Sequence, residues 1–194
     1  MSGLRLERPF FNRSTLDVAR HLLGARIIHL LDGQRVGGVI IETEAYMGEA
    51  DLACHARSGR TARTVVMYGP PGHAYVYFVY GMHWLFNCVT EAEGSPAAVL
   101  LRAIVPTEGL GVVAAKRAGR PESQWASGPA RLTQALGIDG SINNADLCAP
   151  DAPLWLETGD PIPNSTVTTS PRVGLTSVPE PWKSIPWRFT AHLS

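Results

Sequence analysis

The chain is short of charge, short of cysteine and without a long apolar run, and each shortage narrows what it can be. Only 18% of its 194 residues are Asp, Glu, Lys or Arg, and 17 basic side chains balance 17 acidic ones. This counts against a protein that grips polyanions by bulk charge, because such binders are basic overall. The three cysteines, Cys54, Cys88 and Cys148, form no CxxC pair. An odd count without that spacing reads as free thiols in a reducing compartment. Apolar segments such as Val36 to Ile41 and Ala97 to Leu101 are strand-sized, well below the length of a membrane span. The opening MSGLRLERPF has no apolar core of the signal-peptide kind, so a cytoplasmic protein is expected.

Motif absences go further. The six histidines show no HExxH or HxE…PCxxC spacing, so neither a metal nor a zinc-bound water is expected. No Gly-rich nucleotide loop follows a strand pattern and no GxSxG elbow occurs, so no cofactor is expected either. Repeats and low-complexity tracts are missing. With 45% apolar residues, residues 1–194 are expected to form a single domain with a sizeable core.

What is present is patterned. Leu16 to Leu23 has helical apolar spacing between Ser14 or Thr15 and Gly24. Ala25 to Leu31 and Val36 to Tyr46 read as strands joined by a turn at Asp32-Gly33. Gly48 to Gly72 is a long loop of the functional kind. Ala74 to Tyr80 and His83 to Thr90 read as a hairpin about Gly81-Met82, and Ala98 to Ile104 as a buried strand. Glu108 to Arg117 and Gly128 to Leu136 read as helices, and Leu154 to Glu157 and Trp187 to Phe189 as short strands. Two stretches are locally basic: Arg57, Arg60 and Arg63 with no acid between them, and Arg117 to Arg131 with only Glu122 opposing. Each fits a phosphate backbone or a plain solvated face.

All five tyrosines lie between Tyr46 and Tyr80, close to Glu42, Glu44 and His55. Carboxylates and aromatics this close suit a pocket that grips a flat ring and attacks a bond beside it. A strand repeat of two puts Ile40, Glu42, Glu44 and Tyr46 on one face. Two carboxylates there are costly to bury without a task, whereas a solvated edge strand would carry them freely. Tyr75 and Tyr77 share a face, and Tyr80 sits at or near the turn. Arg102 ends the apolar run VLLR and could place its guanidinium on a carboxylate. Asn87 is unusual in a strand and needs partners if buried.

The ordered motifs IIETEAYMG, RSGRTAR, MYGPPGHAYVYFVYGM, VLLRAIVP, SGPARLTQALGI and PRVG resemble the alkyladenine (3-methyladenine) DNA glycosylases of the mammalian type. The resemblance runs from about Leu16 to Phe189. It implies an α+β fold: a single mixed domain around a curved antiparallel sheet, with a protruding hairpin and surrounding helices. It implies that Glu44 activates the attacking water, and that Arg102 and the Val173 backbone hold that water. It implies Tyr46 on one face of a flipped base, Tyr77 and His55 on the other, and Asn87 testing the purine edge. It further implies that Tyr80 at the hairpin tip fills the gap left by the flipped nucleotide and that Arg131 at a helix start contacts phosphate; Met82 beside the tip and the locally basic Arg57, Arg60 and Arg63 are expected to join them on the DNA. The expected partner is double-stranded DNA with damaged purines, met by a monomer of bacterial origin. The chain departs from the family at Thr64, where asparagine is common, at His83, where the mammalian proteins have tyrosine, and in having no long basic N-terminal extension.

The chemistry suits these residues. Breaking an N-glycosidic bond builds positive charge on the sugar, and a nearby carboxylate stabilises it while taking a proton from water. Glu44 must then be ionised; Arg102 is expected to outweigh burial and keep its pKa low. Glu42 is expected in a structural salt bridge. Two other readings use the same residues: a non-catalytic reader of damaged DNA, and a hydrolase of free nucleosides.

Overall fold

Two turns of unlike sequence shape the two hairpins. Asp32 and Gly33 both take left-handed φ angles, 49° and 78°, the turn geometry that matches strand twist. They join β1 (Arg26–Leu31) to β2 (Gln34–Met47). Tyr80 and Gly81 repeat this geometry at 54° and 67°, joining β3 (Ala74–Val79) to β4 (His83–Val89). The Met82 N–H closes the turn on the Val79 carbonyl at 3.2 Å. The expected centre, Gly81-Met82, is thus one residue late, because the glycine fills the second central position and leaves the first to Tyr80.

The computed structural model describes residues 3–192. Its remaining strands are β5 (Ala97–Glu108), β6 (Leu154–Glu157), β7 (Val167–Ser170) and β8 (Arg188–Ala191). All eight described strands form one antiparallel sheet, ordered β3-β4-β5-β2-β1-β6, with β8 on β2 and β7 on β8. The expected α+β class with a curved antiparallel sheet is the one found. β2 is long enough for two neighbours on one edge: β1 pairs it up to Val39, and β8 takes Glu42 to Glu44.

Helices α1 (Arg8–Phe11), α2 (Thr15–His21), α3 (Leu110–Lys116) and α4 (Pro129–Leu136) complete the regular structure. α2 lies against β2 and β5, and α4 against β4 and β5. Val18, Leu132 and Leu136 join Val36, Ile40, Phe86, Val99 and Leu101 in the main core. Each such buried side chain stabilises the fold by about 1.5–3 kcal/mol. A second, smaller core of Cys54, Ala56, Val66, Met67, Tyr75, Val89 and Ala98 has Tyr46 and Tyr77 packed against it.

β5 runs four residues beyond the expected Ile104 and absorbs Glu108, so α3 starts only at Leu110. Pro106 is tolerated in that extension because β5 pairs there with β2 alone, leaving one edge free of ladder partners. The Gly48 to Gly72 stretch carries two 3-10 turns, His55–Ser58 and Val65–Tyr68. β7 and the four-residue α1 have too little apolar pattern to announce themselves.

Candidate active site

Two bulges between β2 and β5 create the polar end of the site. Ile40 pairs with Ile104 and Glu42 with Ala103, so β2 holds one extra residue there. One position further on, Glu42 pairs with Ala103 and Thr43 with Leu101, so Arg102 is the extra residue on β5. A bulge of this kind re-aims side chains. It breaks the expected shared face: Ile40 turns into the main core with Ala45. Glu42, Glu44 and Tyr46 stay together on the opposite face. Arg102, freed from the ladder, reaches both carboxylates, at 2.9 Å from Glu42 and 3.2 Å from Glu44. Glu42 also receives Arg188 from β8 at 3.0 Å, which is the structural ion pairing expected of it.

Glu44 is fully buried and every donor around it is placed by a different element. The Val173 N–H donates to Oε1 at 2.7 Å and the Tyr46 hydroxyl to Oε2 at 2.8 Å. Arg102 and the Val173 amide therefore meet on Glu44 itself. Burial raises the Glu44 carboxyl above its usual value, and Arg102, the Val173 amide and Tyr46 offset this only in part. The expectation that Arg102 would prevail is corrected here: a side chain with no solvent contact loses more hydration than one guanidinium, itself shared with Glu42, restores. Tyr46 stays protonated, because burial and then the Glu44 charge push its pKa well up.

In front of this carboxylate opens a cavity of about 570 Å³, within the range of ligand pockets. Tyr46, His55, Tyr77, Asn87, Arg102 and Val173 line it, as do Tyr80, Arg63 and Arg131. Glu44 lies behind that lining. The His55 and Tyr77 rings meet edge to face at 4.6 Å. His55 Nδ1 is 2.9 Å from the Tyr75 hydroxyl, and burial, then Arg63 and Arg57, push its pKa down to about 4. It is neutral at pH 7. Asn87 is buried, donating one amide hydrogen to the Tyr75 carbonyl at 2.9 Å. The Arg63 guanidinium lies 4.9 Å from the Tyr77 ring centre.

The remaining residues flank the cavity. Tyr80, 85% exposed, and Met82 project from the hairpin tip. Arg57 and Arg60 are exposed outside the lining, Arg57 on the Leu52 carbonyl and Arg60 over the Tyr68 ring. Arg131 reaches back to Ser127 in front of α4. Thr64 is buried, donates to the Gly59 carbonyl and accepts from the Thr61 N–H, so it ties the arginine-bearing turn together. His83 lines the cavity beside Gln134. Sequence reasoning passed over Asp51 and Arg172, which form a buried pair next to Tyr46. Arg172 lay in plain view in the PRVG motif; Asp51 has no local signal. Among the described residues no helix is long and apolar enough to cross a membrane.

A buried carboxylate set behind an aromatic cavity is an arrangement found in active sites. The family model described as methylpurine-DNA glycosylase (MPG) matches residues 9–194. A protein of Myxococcus xanthus is 48% identical over 184 residues, covering 95% of this chain and 88% of its own length. One from Carboxydothermus hydrogenoformans is 43% identical, covering 95% and 93%, and one from Methanocella arvoryzae is 46% identical, covering 95% and 90%. All three carry the name "Putative 3-methyladenine DNA glycosylase". The chain belongs to the methylpurine-DNA glycosylase family, and so to the DNA-repair hydrolases that cleave N-glycosidic bonds.

Proposed function

We propose that this chain flips alkylated or deaminated purines out of duplex DNA and hydrolyses their N-glycosidic bond with a water activated by Glu44. The class includes 3-methyladenine, 7-methylguanine, hypoxanthine and ethenoadenine. The observation that carries the reading is Glu44: fully buried, held by Val173, Tyr46 and Arg102, and set behind a cavity of about 570 Å³ walled by tyrosines.

Tyr46 on one side and Tyr77 with His55 on the other grip the extruded ring. Neutral His55 adds no charge against a cationic base, and tyrosine faces attract such bases. Asn87 reads the purine edge from the buried end of β4. The C1′–N bond breaks with its electron pair leaving on the base, the water oxygen bonds to C1′, and the water's proton passes to Glu44. 3-Methyladenine and 7-methylguanine carry a positive charge and leave as neutral bases, whereas hypoxanthine and ethenoadenine leave as anions and take up a proton from solvent. Tyr80 fills the gap in the stack with Met82 beside it, and Arg57, Arg60, Arg63 and Arg131 contact phosphates. Residues 1–194 act as one glycosylase domain and as a monomer, because one lesion needs one copy of the site.

Duplex oligonucleotides carrying each lesion test this. Free base should appear with the natural protein. With Glu44→Gln, release in single turnover should drop about a hundredfold or more while binding persists. Binding without release by the natural protein would make it a reader of damage. Release from free nucleosides but not from duplex would make it a nucleoside hydrolase.

A further inference from the structure

The Tyr46 wall and the Val173 amide come from segments far apart in the chain, and one buried ion pair joins them. Arg172 and Asp51 are both buried, with a two-pronged contact at 2.5 and 2.8 Å. Asp51 also accepts from the Met47 and Ala53 N–H groups at 3.1 and 3.0 Å, which fixes the loop leaving β2. Arg172 donates to the Ala45 carbonyl at 2.9 Å and to the Trp182 carbonyl at 3.3 Å. Its guanidinium lies between two rings, 4.7 Å from Tyr46 and 5.1 Å from Trp187. Tyr46 lines the cavity and Arg172 does not, so the cation backs the wall from outside. The next residue along the chain, Val173, donates to Glu44.

A buried ion pair is a poor source of stability, since desolvation offsets most of the attraction. Apolar residues would hold these segments together as well. What they would not supply is direction. A guanidinium fork bound to a carboxylate, a carbonyl on β2 and two ring faces has one orientation. That orientation is passed one peptide bond along to the Val173 N–H.

We propose that the Asp51–Arg172 pair is a positioning unit of this glycosylase site, setting the Tyr46 ring against the base and the Val173 amide on Glu44. The inference rests on the role of Glu44 given above. The groups facing Glu44 are Arg102 from β5, Glu42 and Tyr46 from its own strand, Tyr77 from β3 and the Val173 amide. Of these, only the amide is attached directly to Arg172. Loss of that donor raises the Glu44 pKa further, so the acid side of the rate profile must move to higher pH.

The test uses the full chain and a 3-methyladenine or hypoxanthine duplex, with rates in single turnover across pH. The double variant Asp51→Asn/Arg172→Met removes the pair and leaves no lone buried charge. Its rate should fall about tenfold to a hundredfold, as for a slight misplacement of reacting groups. Duplex affinity should change less than about threefold, and the acid limb should move up. Arg172→Lys keeps the cation and should recover part of the rate. Glu157→Gln breaks a pair with Arg35 at the far side of the sheet; it should lower stability and leave rate and acid limb alone. A folded double variant with the natural rate and the natural acid limb would overturn the proposal. If the double variant does not fold, the same two readings on Arg172→Lys decide it. If the natural protein releases no base from any lesion, the proposed function fails and this inference with it; if only the variants match the natural protein, the inference fails alone.

Discussion

Glu44 is a charge that the fold resists and the proposed chemistry requires. Its pKa is raised by burial, so the ionised, active form is lost on acidification sooner than for an exposed glutamate. Base release should therefore fall on the acid side at a pH above the usual glutamate value of 4.5, and Arg102→Gln should move that limb higher still. A pH–rate series in single turnover checks both; a limb at or below 4.5 contradicts them. The same shift bears on stability with a definite sign. A raised native pKa stabilises the fold while Glu44 is protonated, and that contribution fades as pH rises through it. Glu44→Gln cannot ionise, so its melting temperature relative to the natural protein should climb between about pH 4 and pH 8. Thermal melts at a series of pH values read this directly. Catalytic loss with relative gain in stability is the expected pattern where function holds a group against its preference.

The hairpin of β3 and β4 shows the same conflict in backbone form. Tyr80 stands at φ 54° with its ring almost wholly in solvent, a conformation where asparagine or glycine would rest more easily. Tyr80→Asn should stabilise the protein by about 1 kcal/mol through relief of that strain. It should also slow base release from stably paired lesions, and do so less for mispaired or single-stranded ones, whose extrusion is easier. Tyr77→Ser should slow all three contexts alike, because a pocket wall acts after extrusion. Equal loss by Tyr80→Asn in every context would move Tyr80 from the wedge to the pocket. Much of this hairpin was legible: alternation fixed its strands, and only the turn centre slipped by one residue. The β2–β5 contact was less so. Alternation put Ile40 beside Glu42, and nothing local in IIETEAY or VLLRA signals that each strand carries an extra residue. A bulge is a property of the pair, and one strand read alone cannot reveal it. The same limit hid Asp51, whose partner Arg172 lies far along the chain.

At the scale of the molecule the balance of 17 basic and 17 acidic side chains sets how DNA is held. Many of the acids are already engaged by arginines, as in the Arg26–Glu108, Arg35–Glu157 and Arg8–Asp146 pairs. Of the exposed arginines, Arg63 and Arg131 line the cavity, and Arg57 and Arg60 lie outside it. Duplex affinity should fall with salt along a shallow slope, and Arg131→Gln should reduce that slope by about one. Titrations at several salt concentrations check this, and a salt-independent affinity would speak for a nucleoside substrate. The placement of these arginines was readable as a break in an otherwise even charge pattern, although their separation into two in the cavity lining, Arg63 and Arg131, and two outside it depends on the fold.

The two strands that share one edge of β2 arrive at very different times. β1 precedes it in the chain, while β8, which covers the edge at Glu42 to Glu44 and brings Arg188, follows every other described strand. Until then the strand that carries Glu44 has one bare margin, and the Val173 segment, tied to Arg188 through the Pro171 carbonyl, lacks its anchor. A nascent chain can thus assemble most of its sheet before it owns a working blade. For a protein that cuts bases from DNA, competence waits on β8.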